Sequence, residues 1–238
     1  MKLDVLVFAA HPDDAELSCG GTILSLIASG KKVGLVDFTR GEMGTRGTPE
    51  IRDKESAAAA EILGLTVREN LKFQDVFFKN DDEHVLEVVR KIRQYQPDVI
   101  LANAIADRHP DHGKAAQVVK RATFLAGLKN VNTKLEDMLQ ENWYIKNLYH
   151  YIQTDFHKPD FVIDVSGFWA TRMEAVRAYK SQFFDPSGES SNTLISSPEF
   201  MELIEARGRE FGMSIRVKYG EGFIADRMLG VSDLTSLL

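Results

Sequence analysis

His11, Asp13 and Asp14 stand together in the stretch HPDD, and His109, Asp111 and His112 in DRHPDH, about a hundred residues further on. Histidine and carboxylate ligate a divalent metal without help from thiolates. A catalytic zinc takes three such ligands and keeps a fourth position for water. The ion lowers the pKa of that water to about 7, and a spare carboxylate can finish the deprotonation as general base. Two histidines and one aspartate as ligands would leave further acids and bases for this work. Each motif alone has a plainer reading. Asp14 fits a helix N-cap, HPDH fits a turn because Pro and Asp favour turns, and His112 fits a helix start. The two motifs together, each after a predicted strand, point to a metal site.

The elements that must hold these residues can be read from periodicity. Residues 3–10, LDVLVFAA, form a doubly buried strand, and residues 15–29 carry helical spacing that ends at Gly30. Residues 31–39 give a second strand, followed by the Gly-rich loop RGEMGTRGTPE. Thr48 then Pro49 mark a helix start that runs to Gly64. A strand over VRENLKF, a helix over 82–95, a strand over 97–103 and a helix over 113–128 follow. Strands at 145–153 and 160–166, helices at 167–183 and 198–211, and a late strand within 214–226 complete the pattern.

Strands and helices alternate as in βαβ units, so the fold class is α/β. The expectation is a single Rossmann-like domain over residues 1–238, a mainly parallel sheet with helices on both faces. In such sheets ligands bind at the carboxyl ends of the strands, and both motifs lie at that edge. The polar, Ser-rich stretch 185–197 is a candidate mobile flap.

Composition narrows the function classes. With 238 residues, 44% hydrophobic and 27% charged, the chain has an ordinary globular make-up. A net charge of −6 argues against nucleic acid as a partner. The sole cysteine, Cys19, excludes a disulfide framework and a thiolate zinc cluster. No stretch approaches the ~18 apolar residues of a membrane helix, so no membrane partner is expected and the cytoplasm is the default location.

AHPDDAE followed by HPDH resembles the PIG-L/LmbE-like family of zinc-dependent N-acetylglucosamine deacetylases. TRGEMGTRGTPEIRDKE, YHYIQTDFHKPDFVIDVS, AYKSQF and YGEGF are similar, in order, to the branch that deacetylates N-acetylglucosaminyl malate in bacillithiol synthesis. The resemblance implies one zinc per chain, held by His11, Asp14 and His112, with other divalent ions possible. It implies Asp13 as general base, His109 stabilising the oxyanion or protonating the leaving amine, and Asp111 orienting His109. It further implies that Arg52 binds the sugar of a small sugar-conjugate substrate, and that the chain forms a homo-oligomer such as a hexamer. Arg108 lies beside the second motif, and His157 matches the branch. Arg40 and Arg46 flank the Gly-rich loop and could bind malate carboxylates, for which Arg is the usual partner; an exposed loop arginine is the plainer reading.

Other readings stay open at this point. An inositol glycoside or a chito-oligosaccharide could replace the malate conjugate. A Rossmann-like nucleotide-binding module without catalysis, or a pure interaction scaffold, would explain the sheet but not two His/Asp clusters at one edge. The stretch CGG at 19–21 lacks the G-x-G-x-x-G spacing of a dinucleotide fingerprint; close helix–sheet packing explains Gly20 and Gly21 better.

Overall fold

Val5–Ala9 is apolar and buried at every position, and it forms β1, an interior strand of the computed structural model, which describes residues 1–183 and 193–238. Val5, Val7 and Ala9 belong to one hydrophobic core, and Leu6, Phe8 and Ala10 to another on the opposite face. A strand covered on both sides reads as a continuous apolar run for that reason.

The chain continues through α1 (Asp14–Ala28), β2 (Val33–Asp37), α2 (Pro49–Leu63), β3 (Val67–Asn70), α3 (Asp82–Tyr95), β4 (Val99–Ala102) and α4 (Pro110–Ala126). A small hairpin, β5 (Lys134–Leu135) and β6 (Met138–Leu139), precedes β7 (Asn147–Tyr151), β8 (Phe161–Asp164), α5 (Trp169–Arg177), α6 (Pro198–Ser214) and β9 (Gly220–Ala225). Among the described residues the main sheet has seven strands in the order β3-β2-β1-β4-β7-β9-β8. The first five are mutually parallel, and β9 runs antiparallel to both β7 and β8. One core gathers residues of α1, α2, α5 and α6, the other residues of α3 and α4. The α/β architecture with helices on both faces is the one the alternation predicts.

Strand order reverses between β1 and β4, because the chain first steps outward to β2 and β3 and then returns to the other side of β1. That reversal opens a crevice at the carboxyl edge of the sheet. The loops after β1 and β4, which carry the two motifs, both leave the sheet there.

Three elements depart from the sequence reading. Helix α4 begins at Pro110, three residues before the expected start, because Pro suits the first helical position and His109 serves as cap, accepting from the Asp111 N–H. The second motif is thus a helix N-terminus rather than a loop. Helix α5 stops at Arg177, short of the expected 183. The β5–β6 hairpin turns on Glu136 and Asp137, both with positive φ (48° and 65°). Hairpin turns of that kind normally announce themselves with Asn or Gly, so this one was silent. The candidate flap at 185–197 falls mostly outside the described residues.

Helix α1 carries an internal break at Cys19 (φ −143°). The amide groups freed beyond it find a distant cap: Gly21 and Thr22 donate to Glu221 of β9 at 2.9 and 2.7 Å. Arg172 of α5 pairs with the same carboxylate at 3.1 Å. A Cβ on Gly21 would stand 2.7 Å from Val165 Cβ, so the helix approaches the sheet this closely only with glycine there.

Candidate metal centre

Loop geometry separates the two adjacent aspartates. Asp13 takes φ 109°, a conformation that non-glycine residues seldom adopt. Its carboxylate accepts from Arg52 Nη2 at 2.9 Å, whereas that of Asp14 turns toward the histidines. Asp14 Oδ1 lies 3.1 Å from His112 Nε2, and Asp14 Oδ2 lies 3.5 Å from His11 Nδ1. The His11 and His112 rings are 5.6 Å apart, centre to centre. All three residues are buried.

The far ring nitrogens face carboxylates. His112 Nδ1 meets Asp107 Oδ2 at 2.6 Å, and His11 Nε2 lies 3.1 Å from Asp75 Oδ1 and 3.4 Å from Asp111 Oδ2. A carboxylate behind a ligating imidazole fixes its tautomer and leaves the other nitrogen's lone pair for a metal. His11 Nδ1, an oxygen of Asp14 and His112 Nε2 are then the atoms with lone pairs to offer.

Electrostatics point the same way. Burial opposes charge on His11, yet Asp111, Asp14 and Asp75 raise its pKa well above the usual value. For His112 burial is likewise outweighed, by Asp14 and Asp107, and the pKa is pushed up to about 9. The pocket therefore favours positive charge on these two imidazoles, and a divalent ion would supply positive charge at the same place. His11 Nε2 and Asp75 Oδ1 are buried 3.1 Å apart with no aligned hydrogen bond among the described residues. The donor set, imidazole and carboxylate only, fits zinc and its neighbours.

Two overlapping groups have ligand atoms all within 4.8 Å of one another: His11 with His109 and His112, and His11 with Asp75 and Asp111. His11 belongs to both. Asp14 is in neither group, although it touches both of its expected co-ligands.

His109 stacks on His112 and meets His11 edge-on, with ring centres 5.2 and 4.7 Å away. Burial and the two neighbouring imidazoles lower its pKa, so it stays neutral. Its Nδ1 accepts the Asp111 N–H at 3.3 Å, which puts the ring proton on Nε2. The Asp111 carboxylate, expected to orient His109, instead faces His11 and accepts from Lys114 and the Val76 N–H. Only its backbone reaches His109. The shift follows from the helix start at Pro110, which makes His109 the cap.

Burial pushes Asp13 up to about 7, although the neighbouring Arg52 works to lower it. Arg52 itself is buried and donates to Asp13, to the Pro12 carbonyl and to Gln182 Oε1. Gly41 makes room for it, since a Cβ there would collide with the guanidinium. Arg52 therefore supports Asp13, whatever it does for substrate.

A cavity of about 310 Å³ opens over these groups. Arg46 and Arg108 line it from opposite loops, and neither side chain has a hydrogen bond or ion pair among the described residues. Trp169, Phe200 and Phe211 form part of an apolar wall. Arg40 is not brought in; it is bound to Asp53 and Glu50 at the surface. His157 is also outside, its Nε2 bonded to the Ala106 carbonyl at 2.8 Å. Arg40 follows the plainer reading, an exposed loop arginine in a surface pair, and His157 makes a structural hydrogen bond.

Several residues escaped the sequence reading. Asp107 lay within the second motif, and its five-residue spacing to His112 was the one available signal. Asp75 has no local pattern, and neither do Asn103 and Gln153, which donate to Asp14. They arrive from the loops after β3, β4 and β7, and only the sheet order brings them together.

The family model described as GlcNAc-PI de-N-acetylase (PIG-L) matches residues 6–123. A diacetylchitobiose deacetylase of Thermococcus kodakarensis is 32% identical over 192 residues, covering 75% of this chain and 70% of its own. A probable N-acetyl-alpha-D-glucosaminyl L-malate deacetylase 2 of Bacillus anthracis is 24% identical, covering 75% and 81%. Among solved structures, the conserved protein TT1542 of Thermus thermophilus is similar with a TM-score of 0.85 and 38% identity, over 97% of this chain and 98% of that one.

Proposed function

The chain belongs to the PIG-L family of deacetylases, and from that premise we propose that it hydrolyses the N-acetyl group of N-acetylglucosaminyl malate. Water enters, acetate leaves, and glucosaminyl malate remains with a free amine, a step suited to bacillithiol biosynthesis. Residues 1–238 act as one deacetylase domain in this reading.

His11, Asp14 and His112 would hold one divalent ion per chain, zinc in the first instance. Such an ion, when bound, activates a water near neutral pH and polarises the amide carbonyl. Asp13 would act as general base and take up a proton: one of its oxygens is tied to Arg52, and the other has no hydrogen bond among the described residues. His109, neutral with its proton on Nε2, donates to the developing oxyanion or to the leaving amine. Asp107 and the Asp75–Asp111 pair keep the ligating imidazoles in the right tautomer.

The observation that carries the reading is the meeting of both motifs under one cavity, with Asp13 and Asp14 turned to different partners. For the malate end, the support is Arg46 and Arg108, cations without partners at the cavity among the described residues, together with the malate deacetylase among the relatives. The chitobiose deacetylase among the relatives favours a chito-oligosaccharide as second reading. Acetate release from a panel of malate, inositol and chitobiose conjugates and free N-acetylglucosamine separates them. The malate conjugate should give the highest kcat/KM. Equal use of free N-acetylglucosamine would remove the case for an aglycone subsite.

A further inference from the structure

Lys114 stands on α4, one turn after Asp111, and is partly buried. Its ammonium donates to Asp111 Oδ1 and to the Val76 carbonyl, both at 2.8 Å, and lies 4.6 Å from the centre of the Phe78 ring. Asp111 is buried, and its other oxygen is already in use. Oδ2 accepts the Val76 N–H at 3.0 Å and faces His11 Nε2 at 3.4 Å. The lysine thus takes the carboxylate oxygen that points away from His11 and leaves the one that points toward it.

Val76 is the second thing that this ammonium holds. Its φ is 68°, a conformation that costs a β-branched residue heavily. Such backbones persist only where the surroundings over-determine them. Here the first turns of α4 hold both polar groups of Val76, the N–H through Asp111 and the carbonyl through Lys114. The turn around Val76, closed by the Phe77 and Phe78 N–H groups on the Gln74 carbonyl, also carries Asp75. Asp75 Oδ1 is the second carboxylate oxygen at His11 Nε2, 3.1 Å away. Two carboxylates on one ring nitrogen repel each other, so something must hold them there. Lys114 reaches one directly and the other through the turn.

We propose that Lys114 is a positioning residue of the metal centre: it keeps Asp111 and the Val76 turn in place, so that two carboxylates hold the His11 ring with Nδ1 toward Asp14 and His112. The inference rests on the metal-site reading above. It does not depend on the charge of His11, because Nε2 faces carboxylates, and so carries a proton, whether the ring is neutral or charged. Lys114 itself touches neither the ring nor Asp14 in this account and acts only through the two carboxylates.

The test is zinc affinity of chelator-stripped protein, measured by competition with a chromophoric chelator, for the wild type, Lys114→Met, Lys114→Arg, Asp111→Asn and the double variant Lys114→Met with Asp111→Asn. Charge and position predict opposite signs. Removing a cation near the site should, by charge alone, let zinc bind more tightly. Lost positioning should weaken Lys114→Met by about tenfold, the lower end of the range for outer-shell partners. Lys114→Arg retains the charge and the N–H donors and should restore most of the affinity. In the Asp111→Asn background the lysine change should cost clearly less, since residues that share a partner are not additive. Lys114→Gln, also uncharged, should weaken binding in the same direction and keeps the test open if the methionine variant does not fold. Tighter or unchanged zinc binding in the uncharged variants would overturn the proposal. So would a full additive loss in the double variant, or a lowered thermal midpoint with zinc affinity intact, which makes Lys114 a stabilising residue only. Failure of the wild type to bind zinc at all would instead strike the metal-site reading on which it rests.

Discussion

Asp13 and Asp14 differ by one position and have opposite roles in this account, which makes them the most informative pair to exchange. Asp14→Asn should reduce metal content, with activity falling because the ion is missing. Asp13→Asn keeps size and hydrogen bonding but removes the basic oxygen. It should retain its metal while kcat drops by about 10²–10⁴, the usual worth of a general base; metal analysis beside steady-state kinetics reads both. Arg52 supplies a second residue-scale prediction. The sequence resemblance gave it the sugar, yet its guanidinium holds Asp13. Arg52→Ala should lose more than tenfold in kcat/KM, since a charge-assisted hydrogen bond is worth ~1.5–3 kcal/mol. A loss confined to kcat assigns it to Asp13, and a loss confined to KM assigns it to substrate. At this scale the motif residues were legible because HPDD and DRHPDH hold their chemistry in short windows. Asp75, Asn103 and Gln153 were not, because nothing within a few residues of them marks a site.

The edge of the sheet, rather than any one residue, decides what those side chains can meet. Reversal of strand order between β1 and β4 brings the two motifs face to face, and that much follows from alternating strands and helices. The helix starts were harder. Reading α4 from 113 left His109 in a loop, whereas Pro110 begins the helix and makes His109 its cap. The resemblance pairs Asp111 with His109, but with the helix starting at Pro110 only the Asp111 backbone reaches His109 and its carboxylate lies against His11. The break in α1 was also unreadable, because its cap comes from Glu221, two hundred residues away in sequence. Glu221→Ala should expose its importance. It would uncap Gly21 and Thr22 and leave Arg172 buried beside an empty place. Breaking a buried pair typically costs about 3–5 kcal/mol, so the denaturant midpoint should fall clearly in urea unfolding. A change below about 0.5 kcal/mol, the range of ordinary surface substitutions, would show that the cap carries little of the fold.

At the scale of the whole molecule, the chain exposes large apolar side chains that a monomer gains nothing by showing to water. Phe124, Met138, Leu139 and Tyr144, from the end of α4 and the segment after it, are 68–70% exposed. A homo-oligomer, which the sequence resemblance implies, would cover such a surface. Light scattering should then give a mass above one chain, and Phe124→Glu with Met138→Glu should lower it. An unchanged mass in the double variant would locate the contact elsewhere. No helix among the described residues is long and apolar enough to cross a membrane.

The central claim joins metal to substrate, and acetate release from N-acetylglucosaminyl malate after chelation and zinc readdition tests both together. The protein should release acetate as purified, fall silent when stripped of metal, and recover on addition of about one equivalent of zinc per chain, the single ion of a three-ligand catalytic site. Acetate release that persists undiminished in the stripped protein, or none from this conjugate under any metal, would contradict the account.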